Sequence, residues 1–530
     1  MTRLAGIQRN LCLGADIYLS KLESELLKTY NTILEQEELL WLQKSRNTWL
    51  KEGDRNTKFF HLSTIIRRRR NKLEGLNNAD GVWITEKSGM KQIITDYFQD
   101  LFCGITEIGD YSLLPQLFPK LDETVLVGLN DPVSDIEIKD SLFTIGGLKT
   151  PGPDGFPAVF YQTYWDLCSN DITSLIKDCF ATASLPDHLN STLIALVPKV
   201  ERPETMSQLR PISLCNTLYK VVSKILVARL RPLMSKLVSP TQVSFVPGRQ
   251  IVDNIVVAQE VLHKFKMTKG KTGFIAWKVD LSKAYDRLSW RFIKDVLWEI
   301  GLRGRFLELI MQCINSVDYK AILNGELIAA FSPTCGIRQG DPLSPYIFVL
   351  CMEKLSHIIQ KKIHDHDWKP IQVSRGGPFV SHLFFADDLI LFGKASINQA
   401  LLMKNCLDEF CHLSGQSVSF EKSVICVSPN VSAELAHSIA AISGSPLTDC
   451  LGKYLGVPLI HKRVTKDTYH EILDKVQKRL SSWKSHHEAF WELTGFGFLG
   501  TPKLSELGAR AVPGWLTHWE VARELPETKP

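Results

Sequence analysis

The segment SHLFFADDLILFG, residues 381–393, places two adjacent aspartates, Asp387 and Asp388, inside an otherwise apolar run. This pattern predicts a strand, a turn and a second strand, with both acids at the turn. Removing a carboxylate from water is costly unless something compensates the charge. Asp is a common turn residue, so exposure at a hairpin tip is one explanation. A bound metal ion is the other.

A third acid, Asp280, ends the β-rich run TGFIAWKVD, residues 272–280. If this strand pairs with the hairpin, three carboxylates converge, and hard oxygen ligands of this kind suit Mg²⁺. A turn can present both neighbouring acids, whereas successive residues on a straight strand face opposite ways. Tight hairpins favour Asn-Gly or Asp-Gly, but the first glycine here is Gly393. The missing glycine counts against a purely structural turn, but on these residues alone both explanations stay open.

The bulk composition is that of a globular protein, with 530 residues, 44% hydrophobic and 22% charged. At about 150 residues per unit, this length predicts three or four folding units. The net charge is +5, yet residues 41–72 hold ten Lys or Arg against Glu52 and Asp54, a local charge of 10 − 2 = +8. Such a concentrated basic segment predicts a polyanionic partner.

The twelve cysteines are scattered without a CxxC pair, which is typical of reduced intracellular thiols. No stretch reaches 18 consecutive apolar residues, and the N-terminus lacks a continuous apolar signal region. We therefore expect a protein that is neither secreted nor membrane-spanning, with no membrane partner.

The N-terminal part combines a helix with a basic segment. Residues 17–50 have apolar side chains at helical spacing. Residues 44–72 then interleave aromatic side chains with cations, as a surface for phosphates and stacked bases requires. The candidates for nucleic-acid binding are Lys58, Arg67, Arg68, Arg69 and Arg70. A nuclear import signal and a solvated helix face are the alternatives for the arginine run.

The remaining pattern mixes strands and helices. Residues 191–200 read as a strand, residues 131–148 as a helix, and a second helix runs from near Ser289 to Gly301. Together with the acidic hairpin, these elements predict an antiparallel sheet backed by helices, an α+β plan.

The motifs KVDLSKAYDRLSW, GIRQGDPLSP and FFADDLILF, in this order and at these intervals, closely resemble reverse transcriptases of plant LINE-type (non-LTR) retrotransposons. The resemblance covers residues 17–487 and includes KTPGPDGFP, LVPK, LRPISLCNTLYKVVSKILVARL, QVSFVPGRQIVDNI, SGQSVSFEKS and YLGVPL. It implies an α+β right-hand polymerase with fingers, an antiparallel palm sheet backed by helices, and a helical N-terminal extension.

The resemblance also implies a domain division, into a helical basic N-terminal region (1–125), a fingers and palm domain (126–460), a partial thumb helix (461–487) and a tail without family resemblance (488–530). No endonuclease, complete thumb or RNase H domain is recognised. We therefore expect a truncated copy of such an element.

Carried over position by position, Asp280, Asp387 and Asp388 look like the catalytic ligands of two Mg²⁺ ions, with Mn²⁺ as a substitute. Two further acids lie inside the motifs but are not expected to bind metal. Asp286 is expected to cap the following segment, and Asp341 to shape its loop.

The resemblance implies five nucleotide-binding residues, namely Lys199, Arg210, Tyr285, Gln339 and Lys422. Tyr285 matches the aromatic residue that screens the 2′-OH of the incoming nucleotide, with a core aromatic as its alternative. Lys199 and Arg210 match fingers residues that hold the triphosphate, with ordinary surface cations as the alternative. Gln339 matches a residue lying against nucleotide and template, and Lys422 a lysine near the triphosphate.

The implied function is an RNA-directed DNA polymerase that uses an RNA template, a DNA primer and deoxynucleotide triphosphates. Nuclear residence is expected from the resemblance and the arginine run. An RNA-dependent RNA polymerase shares the palm chemistry, but Tyr285 argues against it. The remaining alternative, favoured by the tail after residue 487, is an inactive retroelement remnant that at most binds RNA.

Overall fold

The computed structural model describes residues 2–14, 16–45, 57–103 and 109–459, together with 469–470, 473–477 and 480. The chain divides into two compact units, Met1–His461 and Lys462–Pro530, and the following description concerns the first. The predicted thumb helix lies largely outside the described residues, and the tail 488–530 lies outside them entirely.

The described residues form helices and strands in an interspersed order. The α-helices are α1 Thr2–Leu13, α2 Ile17–Ser45, α3 Thr57–Asn71, α4 Lys87–Cys103, α5 Glu123–Gly128, α6 Asp135–Phe143, α7 Ala158–Thr163, α8 Trp165–Thr182, α9 Thr217–Leu230, α10 Met234–Leu237, α11 Ile251–Met267, α12 Trp290–Ile300, α13 Gly304–Asn315, α14 Ser344–His364, α15 Ile397–Ser414 and α16 Ala433–Ser443. The strands are β1 Leu76–Asn77, β2 Trp83–Ile84, β3 Ser191–Pro198, β4 Leu209–Cys215, β5 Phe274–Asp280, β6 Asp318–Leu323, β7 Glu326–Phe331, β8 Ile371–Gln372, β9 Phe379–Val380, β10 His382–Phe385, β11 Asp388–Lys394, β12 Val424–Val427, β13 Lys453–Tyr454 and β14 Val457–Pro458.

The acidic hairpin belongs to a four-stranded antiparallel sheet in the order β10-β11-β5-β12. Alternate residues of β5 enter different cores, because successive side chains on a strand face opposite ways. Ile275 and Trp277 join the large helical core, whereas Ala276 joins a smaller core with Ala258 and Leu262 of α11. Both faces are covered, which explains the nearly continuous apolar sequence. The predicted α+β class and this antiparallel sheet are confirmed.

A second sheet has the order β4-β3-β6-β7. Its β3 pairs antiparallel with β4 and parallel with β6, a mixed arrangement that the sequence pattern did not indicate. Helix α4 packs on this sheet, where Ile94 and Phe98 share a core with Ile194 and Tyr319. The part of the N-terminal region from Leu73 to Phe102 is therefore packed against the sheet by ordinary core contacts.

The helix bounds follow from local capping. Helix α12 agrees with its prediction, since the Ser289 side chain accepts from the Phe292 N–H and Gly301 ends the helix at φ +102°. The helix predicted over 131–148 is too long. It forms only α6, because Ser134 and Glu137 make a capping box at its start.

The N-terminal helical prediction is confirmed for α2. The residues between α2 and α3 lie outside the described part of the chain. Among the described helices, none combines the length and apolar character needed to cross a membrane.

Candidate functional site

The first sheet brings the three predicted acids to one end. Asp388 begins β11 and lies directly opposite Asp280, the last residue of β5. Directly opposed residues on antiparallel strands have Cβ atoms about 4.5–5.5 Å apart and share a face. Asp387 precedes them in the turn between β10 and β11, and all three side chains are exposed. Like charges directly opposite each other on paired strands are destabilising. A turn with a purely structural role would have no need of such a pair.

The electrostatics of the turn favour a bound cation. Desolvation by the surrounding protein raises the pKa of both Asp387 and Asp388, and the negative charge of Asp280 raises both further. The charge of Arg210 acts to lower the pKa of Asp387, and the charge of Lys278 acts to lower the pKa of Asp388. In the described part of the chain, no Lys, Arg or His forms an ion pair within 4.0 Å of these carboxylates. Within the described residues, the acids therefore repel one another without a direct counter-ion.

The acids suit a divalent cation by chemistry and backbone placement, since carboxylate oxygens are preferred by Mg²⁺ and Mn²⁺. Within the described ranges, however, no group of three His, Cys, Asp or Glu side chains is already arranged as a metal cage. The register supplies adjacent backbone positions for the three oxygen donors. The metal-ligand role of Asp280, Asp387 and Asp388 remains a prediction.

The turn is held by Gln242 and Ser244, for which the sequence indicates no functional role. Ala386 has φ +52°, in the left-handed region, where a residue with a Cβ costs about 1–3 kcal/mol. Its N–H donates to Ser244 Oγ at 2.8 Å and to Gln242 Oε1 at 3.3 Å. Gln242 also forms a parallel bridge with Phe384. The position of Asp387 is therefore set by a loop far away in sequence.

Three predicted cations come together from separate elements. Lys199 follows β3, and its Nζ donates to the Ser207 carbonyl at 2.9 Å. Desolvation lowers the pKa of Lys199, and the charges of Lys422 and Arg210 lower it further, while Asp280 acts in the opposite direction. Lys199 thus interacts with Asp280, Arg210 interacts with Asp387, and Lys422 interacts with Lys199. The structure thus assembles a positively charged surface beside the acidic turn.

Lys283 is a fourth cation, which the sequence analysis missed. Its backbone has φ +51°, and its Nζ lies 4.0 Å from the centroid of the Tyr97 ring. Burial lowers the pKa of Lys283, Asp286 acts to raise it, and Lys199 and Lys422 act to lower it. A lysine inside DLSKAYD, only three residues after Asp280, was the available sequence signal.

Tyr285 lies beside the acids with one side packed on the core. Its ring stacks on Phe348 of α14, with centroids 4.6 Å apart and an interplanar angle of 12°. Burial raises the pKa of its hydroxyl, and the charge of Asp387 raises it further. The residue is partly exposed, so the core contact and a role at the site are compatible. Its screening role remains a prediction.

Gln339 and Asp286 form a side-chain pair. The Gln339 Nε2 donates to both carboxylate oxygens of Asp286, at 3.0 and 3.1 Å. The expectation that Asp286 caps the following helix is wrong, because Ser289 occupies that position. Asp286 instead faces the neighbouring loop.

Asp341 shapes its loop, as expected. Its buried carboxylate accepts from the Leu343 N–H at 2.9 Å and forms an ion pair with Arg338 at 2.9 Å. The hydroxyls of Tyr219 and Ser223 donate to the same carboxylate. This group has ample hydrogen-bonding partners and is not available to a ligand.

The predicted nucleic-acid-binding arginines lie at the end of α3. The arginines at 68–70 are exposed in its last turn, where cations also favour the helix dipole. Arg67 is half-buried, and its guanidinium donates to the Lys44 carbonyl. The Lys58 side chain lies outside the described part of the structure. Their role remains a prediction.

Residues 197–459 match the family described as reverse transcriptase (RNA-dependent DNA polymerase). This segment contains all eight predicted catalytic and nucleotide-binding residues. The 149 kDa protein of transposon TX1 from Xenopus laevis is 25% identical over 445 residues, 83% of this chain and 33% of that protein. A retrovirus-related Pol polyprotein of a type-2 retrotransposable element from Drosophila melanogaster is 28% identical over 275 residues, 52% of this chain and 24% of the polyprotein.

An uncharacterised mitochondrial protein of Arabidopsis thaliana is 45% identical over 67 residues, 13% of this chain and 55% of that protein. The chain spans only a third or less of the length of the Xenopus and Drosophila relatives.

Proposed function

We propose that this chain is a reverse transcriptase of the non-LTR retrotransposon type, which copies RNA into DNA by two-metal nucleotidyl transfer. The match of residues 197–459 to the reverse transcriptase family and the similarity to the Xenopus and Drosophila retroelement proteins support this proposal. The observation that carries the proposal is the register that opposes Asp388 to Asp280 next to Asp387. In this proposal the first sheet is the palm and the second belongs to the fingers. The element is of the LINE type found in plants.

Asp280, Asp387 and Asp388 would hold two Mg²⁺ ions, or Mn²⁺ in their place. When bound, such ions supply Lewis-acid stabilisation of the phosphate and of the leaving pyrophosphate. The protein contributes the backbone placement of three oxygen donors and a local negative charge that attracts the ions. The mutual repulsion of the acids is relieved when cations bind.

The cationic surface binds the nucleotide. Lys199, Arg210 and Lys422 neutralise the triphosphate charge, which grows on the leaving group during transfer. Tyr285 restricts the space beside the sugar and so disfavours a 2′-OH. Gln339 lies against the nucleotide and the template.

The nucleic acids are an RNA template and a DNA primer, and base pairing supplies the choice of nucleotide. The protein therefore needs contacts to the backbone and the duplex shape. The exposed arginines of α3 supply sequence-independent phosphate contacts. The proposal also places the protein in the nucleus, where retroelement DNA would be made.

Primer extension by the purified chain tests the proposal, with an RNA template, an annealed DNA primer, deoxynucleotides and Mg²⁺. Asp387→Asn keeps the side-chain shape and removes one site charge. Asp171→Asn is the matched control, since Asp171 is an exposed acid on α8, outside the site.

We expect metal-dependent extension by the parent and the Asp171 variant. We expect a loss of a thousandfold or more in Asp387→Asn, equivalent to about 4 kcal/mol of transition-state stabilisation. An inert parent that still binds RNA would identify the non-catalytic remnant instead. Extension with ribonucleotides alone would identify an RNA polymerase.

A further inference from the structure

Two loops of the site are joined by a series of hydrogen bonds. One follows β5 and carries Tyr285, and the other precedes α14 and carries Gln339. The Ile337 N–H donates to the Tyr285 carbonyl at 2.8 Å, and the Gly336 N–H donates to the Leu288 carbonyl at 2.7 Å. These backbone bonds fix the relative position of the two loops.

The loops also approach each other without a gap. Gly336 has φ +85°, and a Cβ at this position would lie 2.5 Å from the Asp286 carbonyl oxygen. From the other side, the Gln339 carbonyl accepts from the Ser213 N–H of β4 at 2.8 Å. The backbone of Gln339 is therefore fixed between the loop of Asp286 and the second sheet.

The side chain of Gln339 is oriented by Asp286. Because a carboxylate only accepts, the group facing Asp286 has to be the amide nitrogen, which leaves the amide oxygen directed elsewhere. Asp286 is only 3% exposed, and among the described residues it has no ion-pair partner within 4.0 Å. Burial raises its pKa to about 6. A buried acid whose side-chain hydrogen bonds come from one neutral amide is costly for the fold, which favours a functional reason for its presence.

The pair is linked electrostatically to the cations of the site. The charge of Asp286 acts on Lys283 and Lys199. Lys199 in turn interacts with Asp280. The carboxylate that binds the Gln339 amide therefore acts on the same cations as the predicted nucleotide-binding residues.

We propose that Asp286 is a positioning residue that holds the Gln339 amide in a single orientation at the nucleotide site and ties it to the loop of Tyr285. The nucleotide part of this inference rests on the proposed polymerase function. Asp286 itself does not contact the nucleotide, and it acts through Gln339.

The test compares four proteins, namely the parent, Asp286→Asn, Gln339→Ala and the double variant. Asn keeps the volume of Asp but provides one acceptor oxygen and a competing amide, so it no longer fixes the Gln339 amide. Steady-state extension on the RNA template is measured over a range of deoxynucleotide concentrations. Asp295→Asn, a half-buried acid on α12, is the matched control.

We expect Asp286→Asn to raise the deoxynucleotide KM about tenfold and to change kcat less than about threefold, as loss of a charge-assisted hydrogen bond predicts. Gln339→Ala should have a similar effect, and the double variant should be no worse than either single variant. An unchanged KM in Asp286→Asn, or independent effects that multiply in the double variant, would overturn the inference while polymerase activity remains.

An inert parent would overturn the proposed function, and thermal unfolding of the same four proteins then decides the inference. A Tm loss in the double variant smaller than the sum of the single losses supports the pair. Additive Tm losses overturn it.

Discussion

Asp341 and Asp388 are the same residue type in opposite surroundings. Asp341 is 4% exposed and holds Arg338 in an ion pair, with hydroxyl and backbone donors completing its shell. Asp388 is exposed and faces another acid, Asp280, across the strands. A carboxylate with all its partners inside the protein stabilises the fold. A carboxylate that repels its neighbour is placed for a positive charge from outside.

The two regions contribute to the site in different ways. The Asp341 network fixes the loop that carries Gln339, so it determines the shape of the site. The acids at the turn determine the local negative charge of the site. Substitutions should therefore separate folding from activity.

The largest effect is expected at the acidic turn. Asp280→Asn and Asp388→Asn should each lower single-turnover extension a thousandfold or more, about 4 kcal/mol. The free energy of unfolding should stay the same or rise by up to about 1 kcal/mol, because an opposed like-charge pair is removed. Extension assays and urea unfolding measure the two quantities. A marked loss of stability in either variant would contradict the functional assignment.

The second-largest effect is expected at the buried acid Asp341, where a substitution should reduce stability. Asp341→Asn should lower the free energy of unfolding by about 3 kcal/mol, because the buried charge of Arg338 loses its partner. Urea unfolding of this variant, beside Asp388→Asn, gives the direct contrast. Stability equal to that of the parent would show that the network is dispensable for the fold.

The effect of Mg²⁺ on thermal stability tests whether the acidic turn binds the ion. An ion that binds only the folded chain stabilises it by about 2.7 kcal/mol at a hundred times its Kd. We expect Mg²⁺ to raise the Tm of the parent but not of a chain carrying both Asp280→Asn and Asp388→Asn. An equal rise in both proteins would place the ion elsewhere.

The smallest effect is expected for substitutions of Tyr285, which should change the preference for deoxynucleotides over ribonucleotides. Tyr285→Ala should increase the relative use of ribonucleotides about tenfold, near 1.4 kcal/mol, because the space next to the sugar opens. Tyr285→Phe should keep the parent preference, since its ring can still stack on Phe348. The ratio of kcat/KM values for the two nucleotide classes measures this preference. A parent-like ratio in Tyr285→Ala would assign the ring to the core alone.

The sequence predicted features that depend on neighbours along the chain. The acidic turn, the α12 caps and the strand ending at Asp280 follow from local apolar runs and polar boundaries. The opposition of Asp280 and Asp388 was less accessible, because the paired strands are more than a hundred residues apart and their register depends on the whole sheet.

The missed features depend on tertiary contacts. Asp286 precedes a helix, which is typical of a cap, but the approach of Gln339 gives its carboxylate a different partner. From the sequence, Lys283 looks like an ordinary surface lysine. Its contact with Tyr97 and its interactions with the other cations appear only in the folded structure. Likewise, Gln242 begins the motif QVSFVPGRQIVDNI, but this motif does not indicate that its side chain would hold the turn at Ala386.

The strand order has a consequence for synthesis of the protein. The inner strand β5 pairs with β11 and β12, which leave the ribosome well after it. At about 5–20 residues per second, translation from residue 280 to residue 427 takes roughly 7–30 s. During that interval an apolar strand has two unpaired edges, a known route to aggregation. We therefore expect the nascent chain to depend on chaperones until β12 has emerged.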